Sequence, residues 1–190
     1  MSRLILVKHS LPQIDPQIPS ATWRLSEVGR TRCLALASTL ADYKPDAVVA
    51  SVEPKALQTA QIVGQRLGLP VETAPDLQEH DRRNEPWRDD PAEFERSVQG
   101  LLENPQELVY GTETGAQALR RFSSGLAAVT GRYRDQSVAV VSHGTVISLF
   151  VAQVAGLEPV SFWRSLGLPS VVVLSQPDHR LEAVFFHLDQ

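Results

Sequence analysis

Two histidines in this 190-residue chain each follow a short apolar run. His9 comes after Leu4-Ile5-Leu6-Val7-Lys8, and His143 after Val138-Ala139-Val140-Val141-Ser142. A third run, Ala47 to Ala50, leads into Ser51-Val52-Glu53-Pro54-Lys55. Short continuous apolar runs of this kind read as buried parallel strands. In open α/β sheets, ligands bind beyond the carboxyl ends of the strands. The three polar signatures therefore gather at one edge. There they assemble two imidazoles, the ammonium groups of Lys8 and Lys55, and the start of a helix at Gly144-Thr145. That set suits a phosphoryl group. The lysines neutralise its oxygens, and the amides of Gly144 and Thr145 offer an anion site. One imidazole attacks phosphorus while the other stabilises the developing charge. Neighbouring cations favour the neutral form of His9, and a backbone carbonyl on its second nitrogen would fix the tautomer. The positive charge already present requires no metal and no cofactor.

The elements that position these residues follow from the pattern along the chain. Pro12, Pro16 and Pro19 break the chain into a loop after the first strand, and Ser26 caps a helix running to about Asp42. Pro54 suits the first turn of a second helix, with Ala56, Ala60, Val63 and Leu67 at helical spacing and Gly68 as its end. Val71 opens a short strand. Residues 75–91 form a polar, proline-punctuated loop containing Glu79-His80-Asp81-Arg82-Arg83, of the kind that carries function. Helices follow at Phe94 to Leu102, Leu119 to Val129 and Val146 to Val154, and strands at Ser137 to Val141, Val171 to Leu174 and Leu181 to Phe186. Strand–helix alternation predicts a three-layer α/β/α sandwich with a mostly parallel sheet. We expect one domain over residues 1–190, with about 75–135 as a loop and helical cap-like subregion.

Composition narrows the partners. Hydrophobic residues make up 43% of the chain and charged residues 21%, which supports a sizeable core. A net charge of −4 with no basic run argues against nucleic acid and anionic membranes, so any phosphate site is a local positive pocket. No apolar stretch has the length of a membrane span. Cys33 is the single cysteine and lies in an apolar stretch, so a buried structural thiol in a reducing, cytoplasmic protein is expected.

The motifs, taken in order, resemble the histidine phosphatase superfamily, the phosphoglycerate mutase-like fold. Leu6-Val7-Lys8-His9-Ser10 resembles its opening strand and Arg-His-Gly. Leu25-Ser26-Glu27-Val28-Gly29, Ser51 through Ala60, Leu77-Gln78-Glu79, Gly111-Thr112-Glu113-Thr114 and Val141-Ser142-His143-Gly144 resemble its later motifs. The resemblance covers nearly the whole chain. It implies that His9 is phosphorylated, that His143 binds the transferring phosphoryl group, and that Glu79 is the general acid and then the base. Lys8 and Lys55 take the positions of two phosphate-binding arginines, and Ser10 takes that of a glycine beside the phosphate. Asp15 stands where the family often has Asn. Arg82 and Arg83 either meet an anionic substrate tail or solvate the loop. Trp87 either walls the pocket or anchors the loop by burial.

The expected activity is hydrolysis of a small phosphomonoester through phospho-His9. Lysine grips phosphate as a point charge where arginine grips it bidentately, so slow turnover is expected. These departures also motivate a phosphate- or phosphoprotein-binding pseudoenzyme. A phosphohistidine-protein phosphatase is a further alternative. A mutase fits less well, because mutases of the family are usually longer.

Overall fold

The computed structural model describes residues 2–188. Six strands form one sheet: β1 (Arg3–Lys8), β2 (Ala47–Ala50), β3 (Val71–Thr73), β4 (Val138–Ser142), β5 (Ser170–Ser175) and β6 (Leu181–Phe185). Their order is β3-β2-β4-β1-β5-β6. The pairs β3–β2, β2–β4 and β4–β1 are parallel, whereas β1–β5 and β5–β6 are antiparallel. The sheet is therefore mostly parallel, with β5 alone running against the rest.

Alternation along β1 explains the layers. Leu4 and Leu6 face one core, Ile5 and Val7 the other, and all four are fully buried. The second core is closed by α1 (Glu27–Tyr43) and α2 (Pro54–Leu67). The first is closed by α3 (Pro91–Glu103), α4 (Gly115–Arg132), α5 (Gly144–Ala155) and α6 (Pro159–Ser165). Each buried Leu or Ile contributes roughly 1.5–3 kcal/mol. No helix among the described residues is long and apolar enough to cross a membrane.

Local signals set the helix starts. The Ser26 side chain accepts from the Gly29 amide and caps α1. Pro54 stands in the first turn of α2. Thr114 and Gln117 form a capping box at the start of α4. Two elements are additions to the sequence pattern: α6 and a 3₁₀ turn at Ser20–Thr22.

Register decides what meets at the site. Lys8 pairs with Ser142 and Ala50 with Val141. The His9 amide donates to the Ser142 carbonyl at 3.0 Å, and the Ser51 amide to the Val141 carbonyl at 2.9 Å. The carboxyl ends of β2, β4 and β1 thus lie side by side, carrying Ser51, His143 and His9.

Candidate active site

His9 and His143 meet edge to face, with ring centroids 5.2 Å apart. His9 is 7% exposed and His143 fully buried. His9 Nδ1 lies 2.8 Å from the Ser10 carbonyl. A carbonyl oxygen only accepts, so Nδ1 carries the proton and Nε2 keeps its lone pair. Burial pushes the His9 pKa well below the ordinary value, and His143 and Lys55 add to the fall. His9 is therefore a neutral imidazole with a free Nε2. His143 is held neutral in the same way, first by burial and then by Lys55. Its Nε2 is 2.9 Å from Ser51 Oγ, while its buried Nδ1 has no hydrogen-bond partner in the protein.

Both lysines reach this edge, and both are already engaged. Lys8 Nζ donates to the Leu166 carbonyl at 2.7 Å. The side chain lies over Gly144, where a Cβ would come within 3.0 Å of Lys8 Cε. Burial lowers the Lys8 pKa to about 8, with Glu79 opposing the fall. Lys55 Nζ donates to the Ser20 carbonyl at 2.7 Å and to Glu53 Oε2 at 2.5 Å. Burial lowers its pKa as well, against the pull of Glu53. An ammonium has three N–H donors, so Lys8 keeps two and Lys55 one for an incoming anion.

Glu79 lies where its motif suggested, but in an unexpected role. Its Oε2 accepts from the Thr145 amide at 3.2 Å and its Oε1 from the Val146 amide at 3.3 Å. The start of α5 thus holds an anion, and that anion is the protein's own carboxylate. Its donors are Thr145 and Val146, whereas Gly144 serves as the flat bed for Lys8. Arg82 Nη1 is 4.0 Å from Glu79 Oε2. Burial pushes the Glu79 carboxyl up, but Arg82, His143 and the backbone amides outweigh it and hold the pKa below the ordinary value. Burial likewise opposes the charge on Arg82, and Glu79, Tyr110 and Glu53 outweigh it, so Arg82 stays cationic.

The contacts correct the placement of Ser10 and show where Asp15 and Arg83 point. Ser10 does not face the site: its Oγ donates to the Gly29 carbonyl at 2.7 Å, and its amide donates to Thr59 Oγ1. It pins β1 to α1, and Gly29 itself lies so close to Leu11 that a Cβ there would sit 2.1 Å from the Leu11 carbonyl oxygen. Asp15 turns into its own loop, where its Oδ1 accepts from the Gln17 amide at 2.9 Å. Arg83 pairs with Asp81 at 2.7 Å and its side chain is 72% exposed, unlike Arg82. His80 is structural: its Nε2 bonds the Glu113 carbonyl, and its ring packs on Tyr110. Cys33 is a buried thiol whose pKa burial raises to about 11.

Two site residues escaped the sequence reading. Glu53, buried at the N-cap of α2, binds Lys55, accepts from the Glu79 amide at 2.9 Å, and lies 3.7 Å from His143 Nε2. It sat inside the Ser51–Lys55 signature, and its charge was the available signal. Arg121 on α4 donates to the carbonyls of Asp76, Gln78 and Glu79 and to Glu113 at 2.6 Å, clamping the segment that carries Glu79. Gly-Thr-Glu113-Thr is thus a structural motif here: Glu113 holds Arg121. A cavity of about 440 Å³ opens over Ser20, Glu53, Glu79 and Arg82. Among the described residues, no cluster of three or more His, Cys, Asp or Glu side chains has metal-binding geometry.

An α/β sandwich with two facing imidazoles at its sheet edge defines a class, and the comparisons agree with it. Residues 13–188 match the histidine phosphatase superfamily (branch 1), and the chain belongs to that family. The uncharacterized phosphatase PhoE of Bacillus subtilis is 25% identical over 135 residues, covering 71% of this chain and 66% of that protein, just under two thirds of its length. Among solved structures, Mycobacterial hydrolase 1 superposes with a TM-score of 0.77 at 21% identity, over 98% of this chain and 99% of that one. A phosphoserine phosphatase from Entamoeba histolytica superposes with a TM-score of 0.75 at 17% identity, over 99% and 98%. These structural likenesses establish the shared fold.

Proposed function

We propose that the protein is a metal-independent phosphomonoester hydrolase that works through a phosphohistidine on His9. The observation that carries this reading is the His9 ring: neutral, with Nδ1–H committed to the Ser10 carbonyl and Nε2 free. Family membership and the phosphatase names of its relatives support it.

The chemistry runs in two displacements. His9 Nε2 attacks phosphorus, a P–N bond forms, and the P–O bond to the alcohol breaks. Glu79 gives that oxygen its proton. Water then attacks the phosphohistidine, Glu79 takes the water's proton, and the P–N bond breaks to release phosphate. Phosphoryl oxygens arriving at the Thr145 and Val146 amides displace the Glu79 carboxylate. As like charges they raise its pKa, which favours the protonated acid. Lys8, Lys55 and Arg82 supply the positive charge that stabilises the transition state, and the buried, unpartnered Nδ1 of the neutral His143 ring offers it a hydrogen bond.

The test is release of phosphate from p-nitrophenyl phosphate, with mass spectrometry of an alkali-stable, acid-labile phosphate on His9. His9→Ala is expected to lose both signals, and turnover retained in that variant overturns the mechanism. One observation favours a second reading, a phosphoester-binding protein without turnover: Glu79 and both lysines are already engaged with protein groups. Calorimetric binding of phosphate esters with no phosphate release across an ester panel selects that reading.

A further inference from the structure

Beside the first cavity lies a second of about 500 Å³. The two share Pro19, Ser20, Arg82 and Arg83 as a common wall. The second has a different character. Its sides are Ile14, Ile18, Trp23, Trp87 and Phe94, contributed by the loop after β1, the loop before α3, and α3 itself. Ile14 is 50% exposed, Ile18 44% and Trp87 43%, so the two loops leave these side chains uncovered where they face each other. Uncovered apolar side chains converging on one cleft mark a binding surface.

The indole groups are already satisfied at their polar ends. Trp23 Nε1 donates to the Asp15 carbonyl at 3.0 Å, and Trp87 Nε1 to Asp89 Oδ1 at 2.9 Å. The rings, tilted at 58° with centroids 5.9 Å apart, therefore offer only hydrocarbon faces. Charge in the cleft is graded. Arg83 is paired with Asp81 at 2.7 Å and Arg88 with Glu85 at 2.8 Å. Arg82 stands at the joint of the two cavities, its guanidinium carbon 4.9 Å from the Phe94 ring centroid and its Nη1 4.0 Å from Glu79. A ligand matching this gradient is apolar and flat at one end and anionic at the other.

From this we infer that the cleft between Trp23, Trp87 and Phe94 receives the leaving group of the substrate, and that this group is an aromatic ring on an alcohol. This assignment rests on the phosphohydrolase reading for its orientation: the phosphate lies beyond Arg82, toward Glu79 and the start of α5. Its volume suits a ligand of one or two rings.

The comparison that tests it uses 2-phenylethyl phosphate and ethyl phosphate, whose leaving alcohols have similar acidity. Burying a phenyl ring predicts kcat/KM about tenfold or more in favour of the phenyl ester. Trp87→Ala and Ile14→Ser, both at exposed positions that tolerate truncation, collapse that ratio toward one. Equal kcat/KM for the two esters in the wild type, or a ratio that survives both substitutions, overturns the assignment. Calorimetry with 2-phenylethylphosphonate and methylphosphonate, which cannot be hydrolysed, separates the cleft from the catalysis. Tighter binding of the phenyl compound that is lost in Trp87→Ala supports the cleft even if no ester turns over, and in that case only the catalytic reading fails. Equal binding of the two phosphonates overturns the cleft whatever the turnover.

Discussion

Lys8 offers a test in which activity and stability move at the same pH. Burial lowers its pKa from 10.5 to about 8. In the proposed mechanism the protonated ammonium is the form that receives phosphate. Because kcat/KM reports ionisations of the free enzyme, kcat/KM for p-nitrophenyl phosphate is expected to fall as pH rises through about 8. A charged hydrogen bond contributes about 1.5–3 kcal/mol, so the fall spans about tenfold to a hundredfold. The corresponding limb in kcat lies higher, since a bound phosphate dianion stabilises the ammonium. Lys8→Arg carries a charge that persists through this range, so the limb moves out of it. Stability follows with a definite sign. The folded-state pKa is depressed, so between pH 8 and 10.5 the unfolded chain holds more protons. The cost of keeping Lys8 charged, about 3 kcal/mol, is thus fully present below pH 8 and is relieved as pH rises. Urea denaturation at pH 7 and pH 10 should show the wild type gaining on Lys8→Met by an amount of this order. A limb that stays near pH 8 in Lys8→Arg would refute the assignment and point to another group, with Lys55 the first suspect.

Two further substitutions probe the scaffold. Arg121→Ala removes the clamp on residues 76–79 and is expected to lower kcat about tenfold with little change in KM, and to cost about 2–3 kcal/mol in urea denaturation. A rise in KM at constant kcat would count against its positioning role. Ser10→Ala is expected to cost about 1 kcal/mol of stability and to leave kcat/KM within about twofold, because its hydroxyl serves the Gly29 carbonyl. A large loss of kcat/KM would return Ser10 to the site.

How much of this was legible in the sequence depends on how local each cause is. The strands under His9 and His143 were readable because four or five consecutive apolar residues have few other uses. Ser26 and Pro54 announced helix starts through chemistry confined to one turn. Helix α6 was not readable, since seven residues give periodicity too little length. The orientations of Ser10 and Asp15 were also hidden. Ser10 is turned by a carbonyl nineteen positions away, on α1, and Asp15 by the amide of Gln17 within its loop. Glu53 was visible as a residue but not as a partner of both Lys55 and His143, which requires β2 and β4 to be adjacent. Glu79 was found by motif, yet its seat on α5 depends on packing between segments 66 and 67 residues apart.

That seat has a kinetic consequence. Glu79 is tethered, so its carboxylate competes for the Thr145 and Val146 amides at a fixed effective concentration rather than by diffusion. In the proposed reaction, free inorganic phosphate meets this rival at every encounter, and the product that has just formed meets it as well. The recoil of one side chain onto the helix end would therefore speed product departure and blunt inhibition by product, at the expense of affinity for small anions.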